Sequence, residues 1–227
     1  MKHTRMSAPR FLVLALALAL ASGTAAAGNE DVSKVNGRIT AEAGRQYGDL
    51  DTVNGGIEIK DNAITGDAET VNGGVTVGAG ARTGGLSTVN GQISVGAKVT
   101  VNGGIETVNG SVFVDRGSQV SGGVETVNGS IGLVGASLGK GIETVNGDIT
   151  VGVGSHVIGG IAVRKPNFNL SFKPSRKPRV IIGPKAVVEG ALDFERDVTL
   201  YVHRSAKIGT VTGATAQIFD TDVAPEH

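Results

Sequence analysis

The sequence contains no cysteine and no tryptophan, and aromatic residues make up only 4% of its 227 residues. The absence of cysteine excludes disulfide bonds, thiolate metal sites, a cysteine nucleophile and an acylated lipoprotein cysteine. The longest apolar run, residues 11–21, is too short to cross a bilayer as a helix. A chain with these absences has to be held together by hydrogen bonds and apolar packing alone.

The first 27 residues have the order of a secretory signal peptide. Three basic residues within the first ten precede the apolar run, and small residues ending in three alanines follow it. We therefore predict a signal peptide at 1–27 and export to the periplasm, the outer surface or the medium of a Gram-negative bacterium. The remaining chain has 18 basic and 21 acidic residues, and this net charge of −3 argues against nucleic-acid binding. We predict no transmembrane span in the exported chain.

Glycine, by contrast, is abundant, with 36 residues, and it follows a repeat. The tetrapeptide Thr-Val-Asn-Gly, or a close copy, recurs seven times, and successive copies are 18 or 19 residues apart. The asparagines of these copies are Asn36, Asn54, Asn72, Asn90, Asn109, Asn128 and Asn146. A fixed period of this length is typical of architectures in which identical structural units stack on one another.

Within each repeat, short segments such as 57–59 and 112–114 alternate apolar and other residues, which is typical of half-buried strands. Asn-Gly and Gly-Gly pairs mark the corners between them. The sequence thus predicts an all-β fold: a single-stranded parallel β-solenoid of roughly ten coils, with about 18 residues per coil. The apolar positions do not recur every six residues, which favours right-handed coils over the left-handed hexapeptide form.

Stacked coils would align equivalent side chains about 4.8 Å apart. We expect a hydrogen-bonded ladder of asparagines at left-handed corners, formed by Asn54, Asn72, Asn90, Asn109, Asn128 and Asn146. We expect the valine before each asparagine to point inward and the threonine before that valine to point outward. The inward valines would be Val53, Val71, Val89, Val108, Val127 and Val145.

The position before each threonine forms a further row, which is acidic in most coils. Its members are Asp51, Glu69, Ser87, Glu106, Glu125 and Glu143. Stacked carboxylates repel one another, so we expect an exposed stripe that blocks unwanted association of sheets. The alternative is a stripe that binds a cation or steers a partner.

The repeated Val-Asn-Gly-[Asp/Gly/Ser]-[Ile/Val] pattern, over roughly residues 32–163, resembles the exported β-strand-repeat adhesins of bacteria. The segment Ile182-Gly183-Pro184-Lys185-Ala186-Val187-Val188-Glu189-Gly190 is similar to the coil pattern of bactofilins, the polymer-forming β-solenoid scaffolds, over about residues 180–213. These resemblances imply a structural or surface-binding role and supply no catalytic residue. Bactofilins are cytoplasmic as a rule, so the predicted signal peptide departs from that family.

The regular repeats, residues 28–163, give way to a basic, proline-rich segment at 164–179 that we predict to be a loop ejected from the solenoid. Together with the following lysine, its cations form a candidate anion- or partner-binding set: Arg164, Lys165, Lys173, Arg176, Lys177, Arg179 and Lys185. The alternative is a solvated insertion without a ligand. We predict further solenoid coils over 180–219 and a polar tail at 220–227.

No arrangement of residues points to catalysis, a metal or a cofactor. The histidines lack metal-ligand spacing, and six successive coils lack the long insertions that build the cleft of β-helical polysaccharide enzymes. We expect a non-enzymatic structural or adhesin-like protein of the cell envelope, which assembles end to end if its terminal coils are open. Its partners would be further copies of itself or envelope polysaccharide or lipid.

Two alternatives stay open. The first is a monomeric envelope protein that binds an anionic glycan or lipid through the basic loop at 164–185. The second is a β-helical polysaccharide-processing enzyme.

Overall fold

The computed structural model describes residues 29–166 and 177–225, and this part of the chain is all-β, without a helix. The predicted signal peptide and the centre of the basic loop lie outside the described residues. The strands, in chain order, are β1 (Val32–Asn36), β2 (Ile39–Ala41), β3 (Leu50–Asn54), β4 (Ile57–Ile59), β5 (Ala68–Asn72), β6 (Val75–Val77), β7 (Arg82–Thr83), β8 (Leu86–Asn90), β9 (Ile93–Val95), β10 (Thr100–Val101), β11 (Ile105–Asn109), β12 (Val112–Val114), β13 (Gln119–Val120), β14 (Val124–Asn128), β15 (Ile131–Leu133), β16 (Ser137–Leu138), β17 (Ile142–Asn146), β18 (Ile149–Val151), β19 (His156–Val157), β20 (Ile161–Val163), β21 (Arg179–Ile182), β22 (Val187–Val188), β23 (Leu192–Phe194), β24 (Thr199–His203), β25 (Lys207–Ile208), β26 (Val211–Thr212) and β27 (Ala216–Phe219).

The strands form three parallel sheets, which are the three faces of a β-solenoid of about nine turns with about 19 residues per turn. Register partners in successive regular coils are 18 or 19 residues apart, as in Leu50 with Ala68 and Leu86 with Ile105. The predicted fold class is therefore confirmed. Face A contains β1, β3, β5, β8, β11, β14, β17, β20, β23 and β26. Face B contains β2, β4, β6, β9, β12, β15, β18, β21, β24 and β27, and face C contains β7, β10, β13, β16, β19, β22 and β25.

The core is a column of aliphatic side chains inside the three faces. Alternate residues of each short strand point into it, as Ile57 and Ile59 do with 2% and 1% of their surface exposed. β-Branched side chains suit these positions because they pack well on a pleated surface. Right-handed winding stays a prediction from the spacing of the apolar positions.

The threonines and valines of the repeat point in the directions opposite to those predicted. Strict alternation from the buried Ile105 through Glu106 places Thr107 inside and Val108 outside. The repeat threonines are at most 5% exposed, namely Thr52, Thr70, Thr88, Thr107, Thr126 and Thr144. Five of these hydroxyls donate to glycine carbonyls one coil back, which satisfies them inside the solenoid, as Thr88 Oγ1 does to the oxygen of Gly73 at 2.8 Å. The Thr144 hydroxyl is buried without a hydrogen-bond partner.

The asparagines stack in one hydrogen-bonded row along the edge of face A. Each side-chain amide donates to the amide oxygen one coil earlier, over 2.9–3.1 Å, from Asn146 back to Asn36. The prediction that these asparagines adopt the left-handed conformation is wrong. Each one ends a strand, and among the described residues the non-glycine positions with positive φ are Asn62, Lys98 and Lys185.

The basic segment interrupts the regular spacing between β20 and β21. Register partners on either side of it, Val151 and Ile182, are 31 residues apart rather than 18 or 19. This coil therefore contains more residues than the regular ones, and the coils continue through β27.

Candidate functional site

The best-defined cation of the basic set is Arg164, which is held on face A by three carboxylates. Its Nε lies 3.3 Å from Glu143 Oε2, and its Nη1 lies 2.9 Å from Asp193 Oδ2 and 3.0 Å from Glu195 Oε1. With only 17% of its side chain exposed, Arg164 is committed to intramolecular ion pairs.

The other described cations of the set do not all lie at one site. Lys177 pairs with Asp197 at 3.0 Å, and the backbone N–H of Lys165 donates to a carboxylate, Glu195. Arg179 lies 5.1 Å from the ring centroid of Tyr201 on the outer side of face B. Lys173 and Arg176 lie outside the described residues.

Arg179 and Lys185 are brought together in an open cleft of about 660 Å³ beside face B. Residues of the C-terminal tail form one wall of this cleft, although the sequence predicted only a polar tail. Ala224 packs against Tyr201 and Phe219, and the Arg179 guanidinium donates to the Pro225 carbonyl. The structure therefore places Arg179 and Lys185 together and Arg164 on a different face.

The outer surface of face A carries three parallel rows that run along the solenoid. The first, the acid row, contains Asp51, Glu69, Ser87, Glu106, Glu125 and Glu143, continues through Ala162 and ends at Asp193 and Thr212. The second, the valine row, contains Val35, Val53, Val71, Val89, Val108, Val127 and Val145. The third is the asparagine row described above. These rows make face A an ordered surface of negative charge, apolar groups and amides.

Burial and mutual repulsion raise the pKa values of several carboxyls in the acid row. The pKa of Glu125 is raised first by burial and then by the charges of Glu106 and Glu143. The pKa values of Asp51 and Glu69 are likewise raised, in both cases chiefly by burial and then by neighbouring carboxylates. Full ionisation of the acid row is thus energetically unfavourable.

We expect the double variant Glu69→Gln/Glu125→Gln to be more stable than the wild type at pH 7. A carboxyl whose pKa is raised by folding binds protons more readily in the folded state, so its ionisation lowers the free energy of unfolding as pH rises above about 4. The advantage of the variant should therefore shrink as pH falls from 7 towards 4. Thermal unfolding at several pH values measures this difference.

The control is Glu42→Gln/Glu58→Gln, whose residues lie in or next to strands of face B rather than face A. These acids already pair with Lys60 at 2.8 Å and Arg38 at 3.3 Å, so removing them should give no gain at pH 7. An advantage of the acid-row variant that does not change with pH would contradict the assignment of raised pKa values.

Two polar features of face A were missed by the sequence reasoning. Asp31, Asp49 and Asp67 recur every 18 residues, and the Oδ1 of each accepts a backbone N–H one coil later, over 2.6–2.9 Å. This spacing could have revealed them. Arg196 donates to the carbonyl of Val145 and to Asn146 Oδ1, a contact across some 50 residues that the repeat pattern does not signal.

Within the described ranges, no group of three or more histidine, aspartate or glutamate residues could hold a metal ion. The same residues include no helix of the length and hydrophobicity that a membrane span requires. No protein-family model, curated protein or solved structure matches this chain.

Proposed function

We propose that this protein is an exported, non-catalytic structural rod of the bacterial cell envelope, of adhesin type, that associates with itself through the C-terminal end of its solenoid. The proposal combines the repeated lateral faces, the predicted signal peptide and the resemblance of the repeats to exported adhesins. One observation at the last coil supports the proposed self-association.

That observation is the exposure of Ile218 in β27, the last strand of face B. Ile218 is in register with Val202, and the residues of this row in all earlier coils are at most 3% exposed. Ile218 itself is 65% exposed, since no described residue forms a further coil over it. The described part of the tail does not cover it either, because Ala224 packs on the outer side of face B instead.

The N-terminal end differs, because a side chain covers the core of its first coil. Tyr47 occupies the inward row that Thr65 and Thr83 fill in the next coils, packs on the core, and accepts a hydrogen bond of 3.0 Å from the backbone N–H of Glu42. Lys34 occupies the threonine row of face A. A charged inward position and a covered core are devices that prevent a sheet edge from pairing. The favoured assembly is therefore a closed dimer of two C-terminal ends rather than an open filament.

We expect the purified exported chain, residues 28–227, to have twice the monomer mass by light scattering and to appear as a rod of double length by negative-stain microscopy. The variant Ile218→Asp should be monomeric, because it places a carboxylate on the apolar end. The dimer should persist at high salt, because its contact is apolar. Association of the basic segment of one molecule with the acid row of another would instead weaken at high salt.

The matched control is Ile158→Asp, which changes an isoleucine of similar exposure, 53%, on the side of the rod. This variant should remain dimeric. A monomeric wild-type protein at all concentrations would overturn self-association and leave anionic ligand binding by the basic segment as the alternative. Equal masses for the two variants would overturn the assignment of the end coil.

A further inference from the structure

Face A contains one place where an arginine already engages the acid row. Ala162 stands in this row between Glu143 and Asp193, its register partners on either side. The guanidinium of Arg164, which occupies the valine-row position of the same coil, contacts both of these carboxylates. A small residue in the acid row thus leaves space for a guanidinium that bridges the acids of the preceding and following coils.

A second arginine engages the other two rows in the same region. Arg196 Nη1 lies 2.9 Å from the Val145 carbonyl oxygen and 2.6 Å from Asn146 Oδ1. Val145 beside these contacts is only 3% exposed, whereas the other valines of the row are partly exposed and Val35 is 49% exposed. At this end of face A, the chain's own arginines therefore contact all three rows.

The same arrangement recurs in the middle of face A without an arginine. Ser87 is the small residue in the acid row, and its register partners on either side are Glu69 and Glu106. In the valine row of this coil, Val89 occupies the position that Arg164 occupies in the coil of Ala162. No described cation pairs with Glu69 or Glu106, and the charge of Glu106 contributes to the raised pKa of Glu69.

We propose that the middle of face A is a docking surface for an extended, arginine-bearing segment of a partner protein, with one guanidinium over Ser87 between Glu69 and Glu106. The side chains two residues before and after that arginine lie on the same side of the extended segment, and they contact the partly exposed valine row. Charge complementarity selects a cation, and the planar guanidinium with its fixed set of N–H donors bridges two carboxylates better than an ammonium does. The surface is separate from the end coil, so this inference does not depend on self-association.

The test is calorimetric titration of the purified protein with a capped peptide, Thr-Val-Arg-Val-Thr-Val-Arg-Val-Thr, and with its lysine counterpart. We expect the arginine peptide to bind at least about tenfold more tightly than the lysine peptide. Glu69→Gln/Glu106→Gln should weaken binding at least about tenfold, consistent with the loss of charge-assisted hydrogen bonds. Val89→Arg, which supplies the guanidinium from the chain as Arg164 does, should abolish binding.

Two controls carry the same changes of charge elsewhere. Glu42→Gln/Glu58→Gln removes two acids away from face A, and Thr76→Arg adds one arginine on the outer side of face B. Both controls should bind the arginine peptide within about twofold of wild type, and circular dichroism verifies the fold of every variant. Equal weakening by the face A and control pairs, or equal affinity for both peptides, would reduce the effect to net charge and overturn the proposal. Binding that survives in Val89→Arg would overturn the assigned position.

Discussion

Gly91→Ala should destabilise the protein by about 3–5 kcal/mol, because a methyl group at this corner has no room. A Cβ atom on Gly91 would overlap the carbonyl oxygen of Gly73, one coil earlier. The φ angle is not the cause, since Gly91 is not among the residues with positive φ. Backbone on both sides of the contact belongs to stacked coils, so neither strand can move without separating the sheet. Chemical denaturation measures the loss of stability.

The same overlap recurs at the glycine after each stacked asparagine except Asn36 in the first coil: Gly55, Gly73, Gly91, Gly110, Gly129 and Gly147. The matched control is Gly132→Ala in β15, where the nearest atom to the new methyl would be Phe113 Cδ2 at an ordinary contact distance of 3.5 Å. This control should be neutral or slightly stabilising, because alanine restricts the unfolded chain more than glycine does. Similar stability of the two variants would contradict the steric role of the corner glycines.

Thr88→Lys should destabilise the protein by about 3–5 kcal/mol, since it leaves an unpaired charge inside the solenoid. Thr88 is 1% exposed, and its hydroxyl donates to the Gly73 carbonyl. The lysine would remove this hydrogen bond and place an ammonium group among aliphatic side chains. Lys34 is tolerated at the equivalent position because it lies in the first coil and is exposed.

The adjacent substitution, Val89→Lys, should have little effect on stability. Val89 points outward, and a lysine there can extend towards the carboxylates of the acid row. The two variants add the same residue one position apart, so they report directly which side of the strand faces the core. If Val89→Lys were the more destabilising of the two in a denaturation experiment, the observed orientation of the strand would be contradicted.

The repeat alone was sufficient to predict the parallel solenoid and the stacking of its side chains. A period of 18 or 19 residues places identical residues at equivalent positions, so the asparagine and acid rows follow from translation along the axis. The count of roughly ten coils is close to the observed nine turns. Strand alternation from Ile105 could also have revealed that the repeat threonines point inward.

The contacts that distinguish one coil from another could not be predicted from the repeat, since they join residues in its irregular parts. Arg164, which the sequence analysis placed in a candidate anion-binding set, pairs with acids 21 to 31 residues away. The first coil is closed because Tyr47 packs on the core, and the last coil is open because no described segment covers Ile218. The sequence by itself determined the solenoid, because each repeat forms one coil and identical coils stack on one another. The tertiary structure alone decided which face and which end are exposed to a partner, because exposure depends on which other chain segments cover each coil.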